Sequence, residues 1–147
     1  MSLKEPHIKM SKSHQDARSR IHINDNRQVV SDKVRLALTD CMPGVSCDPV
    51  NRPGVSNLLC IMSSLDSKRR TAEEIAEVCN AMSMREFKIE VARTISEGLA
   101  TVRDKYNGLI HPNGAQYLDQ VAEEGSMKAQ KLAAKTINSV RQATGLE

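Results

Sequence analysis

Aromatic residues are nearly missing from this sequence. Phe87, Tyr106 and Tyr117 are the only ones in 147 positions, and tryptophan is absent. A β-sandwich core, which draws on aromatic and β-branched side chains, is therefore disfavoured. Seven methionines and many Ala, Leu, Ile and Val residues must fill the interior, and such a core suits packed helices. Cysteines are few and unpatterned. Cys41, Cys47, Cys60 and Cys79 give no C-x-x-C spacing, and His7, His14, His22 and His111 complete no ligand set, which argues against a zinc site. A disulfide scaffold is out of place in a chain long enough to build a core. Cys60 lies in an apolar run and reads as a small core residue. No apolar run is long enough to cross a bilayer, and the opening residues read as neither a secretory signal nor an amphipathic transit segment.

Charge is plentiful, at 27% of residues, but its balance is uneven. Residues 1–30 hold Lys4, Lys9, Lys12, Arg18, Arg20 and Arg27 against Glu5, Asp16 and Asp25. The remaining residues are balanced, so the whole net charge of +3 belongs to the opening segment. A solvated basic arm and an anion site for nucleotide or RNA phosphate both fit such a segment.

The hydrophobic pattern predicts an all-α fold. Residues 1–20 are polar and aperiodic and read as a mobile loop, followed by a short extended piece at 20–23. Ser31 reads as the N-cap of a helix with Val34, Ala37 and Leu38 on one face, ending near Asp40. Pro43, Gly44, Pro49 and Pro53 mark a loop. Val55, Leu58, Leu59, Ile61, Met62 and Leu65 then make a helix apolar on most sides, expected to be central and buried. Thr71…Glu74 and Ser83…Glu86 are capping boxes. The first starts a helix with Ile75, Val78 and Cys79 inward. The second starts what should be the longest helix, with the stripe Phe87, Val91, Ile95, Leu99, Val102 and Tyr106. Pro112-Asn113-Gly114 should break the chain before a short helix with Tyr117, Leu118 and Val121. Gly125 should end that helix, and Ser126 should cap a last one with Ala129, Leu132, Ala133, Ile137 and Val140 inward. Gly145 supplies a left-handed stop.

The segment Lys9-Met10-Ser11-Lys12-Ser13 carries chemistry. Its two lysines and flanking serines suit phosphate handling, and the five residues match the KMSKS signature of class I aminoacyl-tRNA synthetases. More of the chain agrees. Ser2-Leu3-Lys4-Glu5-Pro6 resembles the segment leading into this loop in tryptophanyl-tRNA synthetases, and Ser19-Arg20-Ile21 follows at the expected distance. Leu38-Thr39-Asp40 resembles that family's AVTD helix end. Asp48-Pro49 and Arg52-Pro53-Gly54-Val55-Ser56-Asn57-Leu58-Leu59 resemble its D-P…RPGVSNLL element. Phe87-Lys88 resembles the start of its long helix, and Glu124-Gly125-Ser126-Met127-Lys128-Ala129 and Gly145-Leu146 resemble its EGA-x-KA element and final MGL. Three departures stand out. His14 replaces the usual Asp after the signature, Cys47 replaces an aromatic before Asp-Pro, and Thr144 replaces Met before the final Gly-Leu.

The resemblance is to the bacterial or organellar type of tryptophanyl-tRNA synthetase. It implies a ligase charging tRNA(Trp) with tryptophan at the expense of ATP, with Mg2+ accompanying the nucleotide and no residue here assigned as its ligand. Lys9 and Lys12 would be the catalytic cations, and Lys9, Met10, Ser11, Lys12 and Ser13 the ATP and pyrophosphate site. Residues 1–30 would be the signature loop and connector, a remnant of the catalytic domain. Residues 31–147 would be an anticodon-binding-like helical domain, with Arg69, Arg70, Arg85, Lys88 and Arg93 as weak candidates for tRNA contact. The family's Rossmann half, with its tryptophan pocket, would precede residue 1. The chain is then expected to be the C-terminal part of an enzyme, inactive alone, that is homodimeric at full length and mitochondrial in a eukaryote or cytoplasmic otherwise. A stand-alone helical tRNA- or protein-binding module is the alternative.

Overall fold

Asn26, not Ser31, begins the first helix. Its side-chain oxygen accepts the Val29 N–H at 2.9 Å and caps α1, Arg27–Arg35. Both residues are good caps, but starting at Asn26 brings Val30 as well as Val34 into the core. The computed structural model describes residues 1–146, Pro112 and Asn113 by backbone alone. Among these the regular elements are all helical, as the composition suggested: a 3-10 turn at Ala17–Ser19, α1, then α2 (Pro53–Leu65), α3 (Ala72–Cys79), α4 (Met84–Gly98), α5 (Ala100–Ile110) and α6 (Pro112–Thr144).

Met1–Asp104 form one compact unit and the residues from Lys105 a second. In the first unit α4 packs on α1 and α2, and α2 packs on α3. The expected apolar helix is central: Val55, Leu58 and Leu59 are fully enclosed, as are Phe87, Val91 and Ile95 of α4. Burying each of these large side chains contributes roughly 1.5–3 kcal/mol. Both capping boxes are formed. Thr71 N donates to Glu74 Oε2 at 2.8 Å and Glu74 N to Thr71 Oγ1 at 3.2 Å. Ser83 N donates to Glu86 Oε2 at 2.8 Å and Glu86 N to Ser83 Oγ at 3.3 Å.

Several expectations fail for physical reasons. The opening residues are not a free loop, because Leu3 is 1% exposed and belongs to the core. Leu38 lies past the end of α1 and is 55% exposed, and Val78 of α3 is exposed too. Cys60 lies on the outer side of α2 and is exposed. The long stripe does not mark one helix. α4 ends at Gly98, and Arg103 donates to the Ser96 carbonyl at 3.0 Å, so the break is satisfied by a side chain. Val102 and Tyr106 are partly exposed on α5.

In the second unit, Gly125 and Ser126 do not interrupt α6, which runs 33 residues with Pro112 at its start. Glycine costs a helix only about 1 kcal/mol, which a long helix absorbs. The face expected to point inward is exposed at Leu132, Ile137 and Val140. Gly145 does end the helix in the left-handed conformation, with φ 69°.

Candidate functional site

The KMSKS segment sits at the tip of a loop tied at its base to the core. Leu3 N donates to Ser19 O at 2.8 Å and Leu38 N to Leu3 O at 2.7 Å, so the two arms of the loop are tied to each other and the upstream arm to the segment just past α1. Ser2 and Ser19 are buried beside Leu3. Asn57 of α2 secures the upstream arm further: its Oδ1 accepts from Met1 N at 3.0 Å, and its Nδ2 donates to the carbonyls of Met1 and Ser2, each at 3.2 Å. Met10 is the loop's apolar anchor, partly buried against the core. Lys9, Ser11, Lys12 and Ser13 are exposed, and neither lysine is ion-paired among the described residues. An anion entering the loop would therefore find two cations with no internal competitor.

The foot of the loop is also positively charged. Lys4 Nζ donates to Leu36 O at 2.9 Å, and Lys88 Nζ donates to Ala37 O at 2.8 Å and Arg35 O at 3.3 Å. Two ammonium groups thus satisfy the carbonyls at the end of α1, where the helix dipole is negative. Burial, with a lesser effect of neighbouring Lys4, pushes the Lys88 ammonium below the usual lysine range. A cavity of about 470 Å³ opens beside this point, lined by residues 4–8, by Leu38, Thr39 and Asp40, and by Pro53 and Gly54.

The sequence-derived candidates for tRNA contact divide clearly. Lys88 is occupied by α1. Arg70 is locked to Asp66, Nη2 to Oδ1 at 2.8 Å and Nε to Oδ2 at 3.1 Å, and holds that carboxyl down to about 2. Arg93 is bracketed by Glu90 and Glu97, whose hydrogen bonds push its guanidinium upward. Arg69 and Arg85 are exposed and unpaired among the described residues, and Arg69 has a left-handed backbone, φ 56°. Arg85 lines a surface cavity of about 460 Å³ with Ser31, Arg35, Met84, Lys88 and Ile89. Sequence reasoning missed Lys4, Asn57 and Arg103, which work through backbone carbonyls and follow no period. Among the described residues no group of three His, Cys, Asp or Glu side chains could hold a metal ion, and no helix is long and apolar enough to cross a membrane.

A basic signature loop rooted in a helical core is the arrangement of a class I aminoacyl-tRNA synthetase segment. The chain belongs to the tRNA synthetases class I (W and Y), whose family model matches residues 1–100. It is 38% identical over 146 residues to the tryptophan–tRNA ligase of Bacillus anthracis, covering 99% of this chain and 43% of that protein. It is 37% identical over 147 residues to the mitochondrial tryptophan–tRNA ligase of Saccharomyces cerevisiae, covering 38% of that protein. The crystal structure of tryptophanyl-tRNA synthetase from Mycoplasma pneumoniae shares the fold, with a TM-score of 0.66 at 22% identity over all of this chain and 45% of that one. The chain spans less than half the length of the curated relatives it matches.

Proposed function

We propose that this chain is the carboxy-terminal part of a tryptophan–tRNA ligase and supplies the enzyme's mobile cationic loop and its tRNA-facing helices. One observation carries the reading: an unpaired Lys9 and Lys12 in a KMSKS loop rooted on buried Leu3, within a chain 38% identical to a tryptophan–tRNA ligase along 99% of its length. The reaction is acyl transfer in two steps. ATP and tryptophan give tryptophanyl-adenylate and pyrophosphate, and the tryptophanyl group then passes to the end of tRNA(Trp). As the α-phosphorus is attacked, negative charge grows on its oxygens and on the departing pyrophosphate. Lys9 and Lys12 meet that charge and stabilise the transition state more than the ground state. The Ser11 and Ser13 hydroxyls and the loop amides add neutral donors. Mg2+ travels with ATP, and no protein ligand for it is assigned here.

Adenine, ribose and indole would be held by the amino-terminal part of the longer protein, which would also make the homodimer. The helices of this chain would face tRNA(Trp), with recognition of unstacked anticodon bases. In a eukaryote the enzyme would serve the mitochondrion, and in a bacterium the cytoplasm.

The test is tryptophan-dependent ATP–pyrophosphate exchange, measured on this chain alone and on the full-length ligase that carries it. Exchange should be absent in the first and present in the second. In the full-length protein, Lys9→Ala or Lys12→Ala should each raise the activation barrier by ~2–4 kcal/mol, the effect of removing one preorganised donor, with little change in tryptophan affinity. A full-length protein without exchange but with RNA or protein binding would instead indicate a helical binding module.

A further inference from the structure

The lysines of the signature loop ride on a tip, residues 6–13, with no helix of its own. The loop is closed twice below that tip. The lower closure is the backbone bond from Leu3 to Ser19. The upper closure is made by side chains: His14 Nε2 lies 3.1 Å from Glu5 Oε1, across 9 positions of sequence. His14 Nδ1 faces the Asp16 backbone, 3.1 Å from its nitrogen and 3.3 Å from its carbonyl oxygen, which leaves Nε2 directed at Glu5, where the carboxylate is the acceptor.

Both partners stand on fixed backbone. The His14 carbonyl accepts from Arg20 Nη1 at 2.9 Å, and Arg18 Nε holds Asp16 at 2.9 Å. On the opposite arm Glu5 N donates to Ser2 Oγ at 3.2 Å, and Glu5 O accepts from Ile8 N at 2.9 Å. Ser2 itself is buried.

We propose that Glu5 and His14 are a positioning clasp for the anion-binding loop. Closing the neck of residues 6–13 limits the arrangements open to Lys9 and Lys12 before an anion arrives. The clasp also engages a carboxylate that would otherwise repel that anion. Shortening the free segment reduces the entropy lost when the loop orders on its ligand, and affinity rises accordingly. His14 touches no reacting atom in this scheme; it acts through the loop. The proposal rests on the phosphate role given above to Lys9 and Lys12.

The 147-residue chain is used for the test, with inorganic pyrophosphate as the probe. Backbone 15N relaxation reports the order of the Lys9–Ser13 amides, and a titration of the same signals reports affinity. His14→Ala and Glu5→Ala should each lower loop order, and the double variant should be no looser than either single one. His14→Gln places an amide N–H near the Nε2 position and should restore order. Pyrophosphate affinity should fall about three- to tenfold in His14→Ala, the scale expected for lost preorganisation, and recover in His14→Gln. Unchanged loop order in His14→Ala, additive effects, or a His14→Gln as loose as His14→Ala would overturn the clasp. A wild-type chain whose loop signals ignore pyrophosphate would count against the phosphate role of the lysines, while the relaxation data alone would still decide the clasp.

Discussion

Arg52 grips Asp40 side by side, with Nε 3.0 Å from Oδ2 and Nη2 2.8 Å from Oδ1. The Arg52 side chain is 3% exposed; its Nη1 donates to Ser46 Oγ, and its Nη2 also faces the carbonyls of Met42 and Gly44. One side chain therefore folds the 40–46 loop onto the start of α2. The residues around it each do a separate structural task. Pro53 opens the helix, where its missing N–H is no loss. Ser56 Oγ accepts from Asp48 N at 2.8 Å, and Asn57 holds the arm that leads to the signature loop. The RPGVSN element is thus the joint between α2 and the cationic loop.

Breaking the pair should be costly. Arg52→Ala leaves Asp40 and two carbonyls short of partners, and should lower the stability of the first unit by about 2–4 kcal/mol. Arg52→Lys cannot reproduce the planar fork and should recover only part of that loss. Urea unfolding followed by circular dichroism, with Asp40→Asn completing a double-mutant cycle, measures the coupling. Purely additive effects would mean the two side chains are independent.

The same pair sets a direction for pH. Arg52 holds the Asp40 carboxyl below the usual carboxylate range, Arg18 holds Asp16 at about 2, and Arg70 holds Asp66 at about 2. For each, the unfolded chain takes up its proton first as pH falls below about 4. The stabilisation is therefore complete above that value and is lost as pH falls further, by about pH 2 for Asp16 and Asp66. Asp40→Asn should flatten this acid limb while leaving the dependence above pH 5 unchanged. Thermal melts between pH 2 and 6 give the comparison, and an unchanged acid limb in the variant would refute the assignment.

Gly54 makes a backbone contact that no other residue permits. A Cβ there would lie 2.2 Å from Leu38 O and 3.0 Å from Leu38 C. Both atoms belong to backbone that is itself bonded to Leu3, so neither can yield without moving the foot of the loop. Gly54→Ala should destabilise the first unit by about 1–3 kcal/mol, the range for overpacking, and should broaden the NMR signals of Leu3 and Lys4. A variant with wild-type stability would show that this approach is slack.

Features encoded within a few residues could be read from the sequence, and features encoded across space could not. The boxes at Thr71 and Ser83 were legible because each is complete within four residues. α2 announced a central helix because Val55, Leu58, Leu59, Ile61, Met62 and Leu65 occupy more than one side of it. The Phe87 stripe misled because its period continues past the break at Gly98, where Arg103 meets the Ser96 carbonyl across positions that follow no period. Leu3 looked like part of a polar arm because a single apolar residue has no period. The KMSKS segment was legible as a motif. The pairing of Glu5 with His14 was not, since nothing local joins positions on opposite arms of a loop.

Gly125 offers the contrast to Gly54. It lies inside α6 with open space around the position of a Cβ. Gly125→Ala should therefore strengthen the helix by roughly 0.5–1 kcal/mol through reduced backbone entropy in the unfolded chain. Circular dichroism of the 147-residue chain should show a small upward shift in helix melting. A loss of helicity would mean that the space around Gly125 is not open.

The division among the arginines yields a prediction for RNA. Arg93 spends its donors on Glu90 and Glu97, and Arg70 on Asp66. To bind a phosphate, either would have to leave a carboxylate behind, so the net gain is small. Arg85 is exposed, is unpaired among the described residues, and shares its cavity with Arg35 and Lys88. Lys88 cannot turn outward without abandoning the end of α1, yet its charge still adds to the local potential. In the longer ligase proposed above, Arg85→Ala should weaken the proposed tRNA(Trp) binding and reduce the steepness of its salt dependence by about one unit, as expected when one phosphate contact is lost. Arg93→Ala should leave both nearly unchanged. Filter binding across a range of potassium chloride concentrations distinguishes the two variants, and a larger salt-slope change in Arg93→Ala than in Arg85→Ala would reverse the assignment.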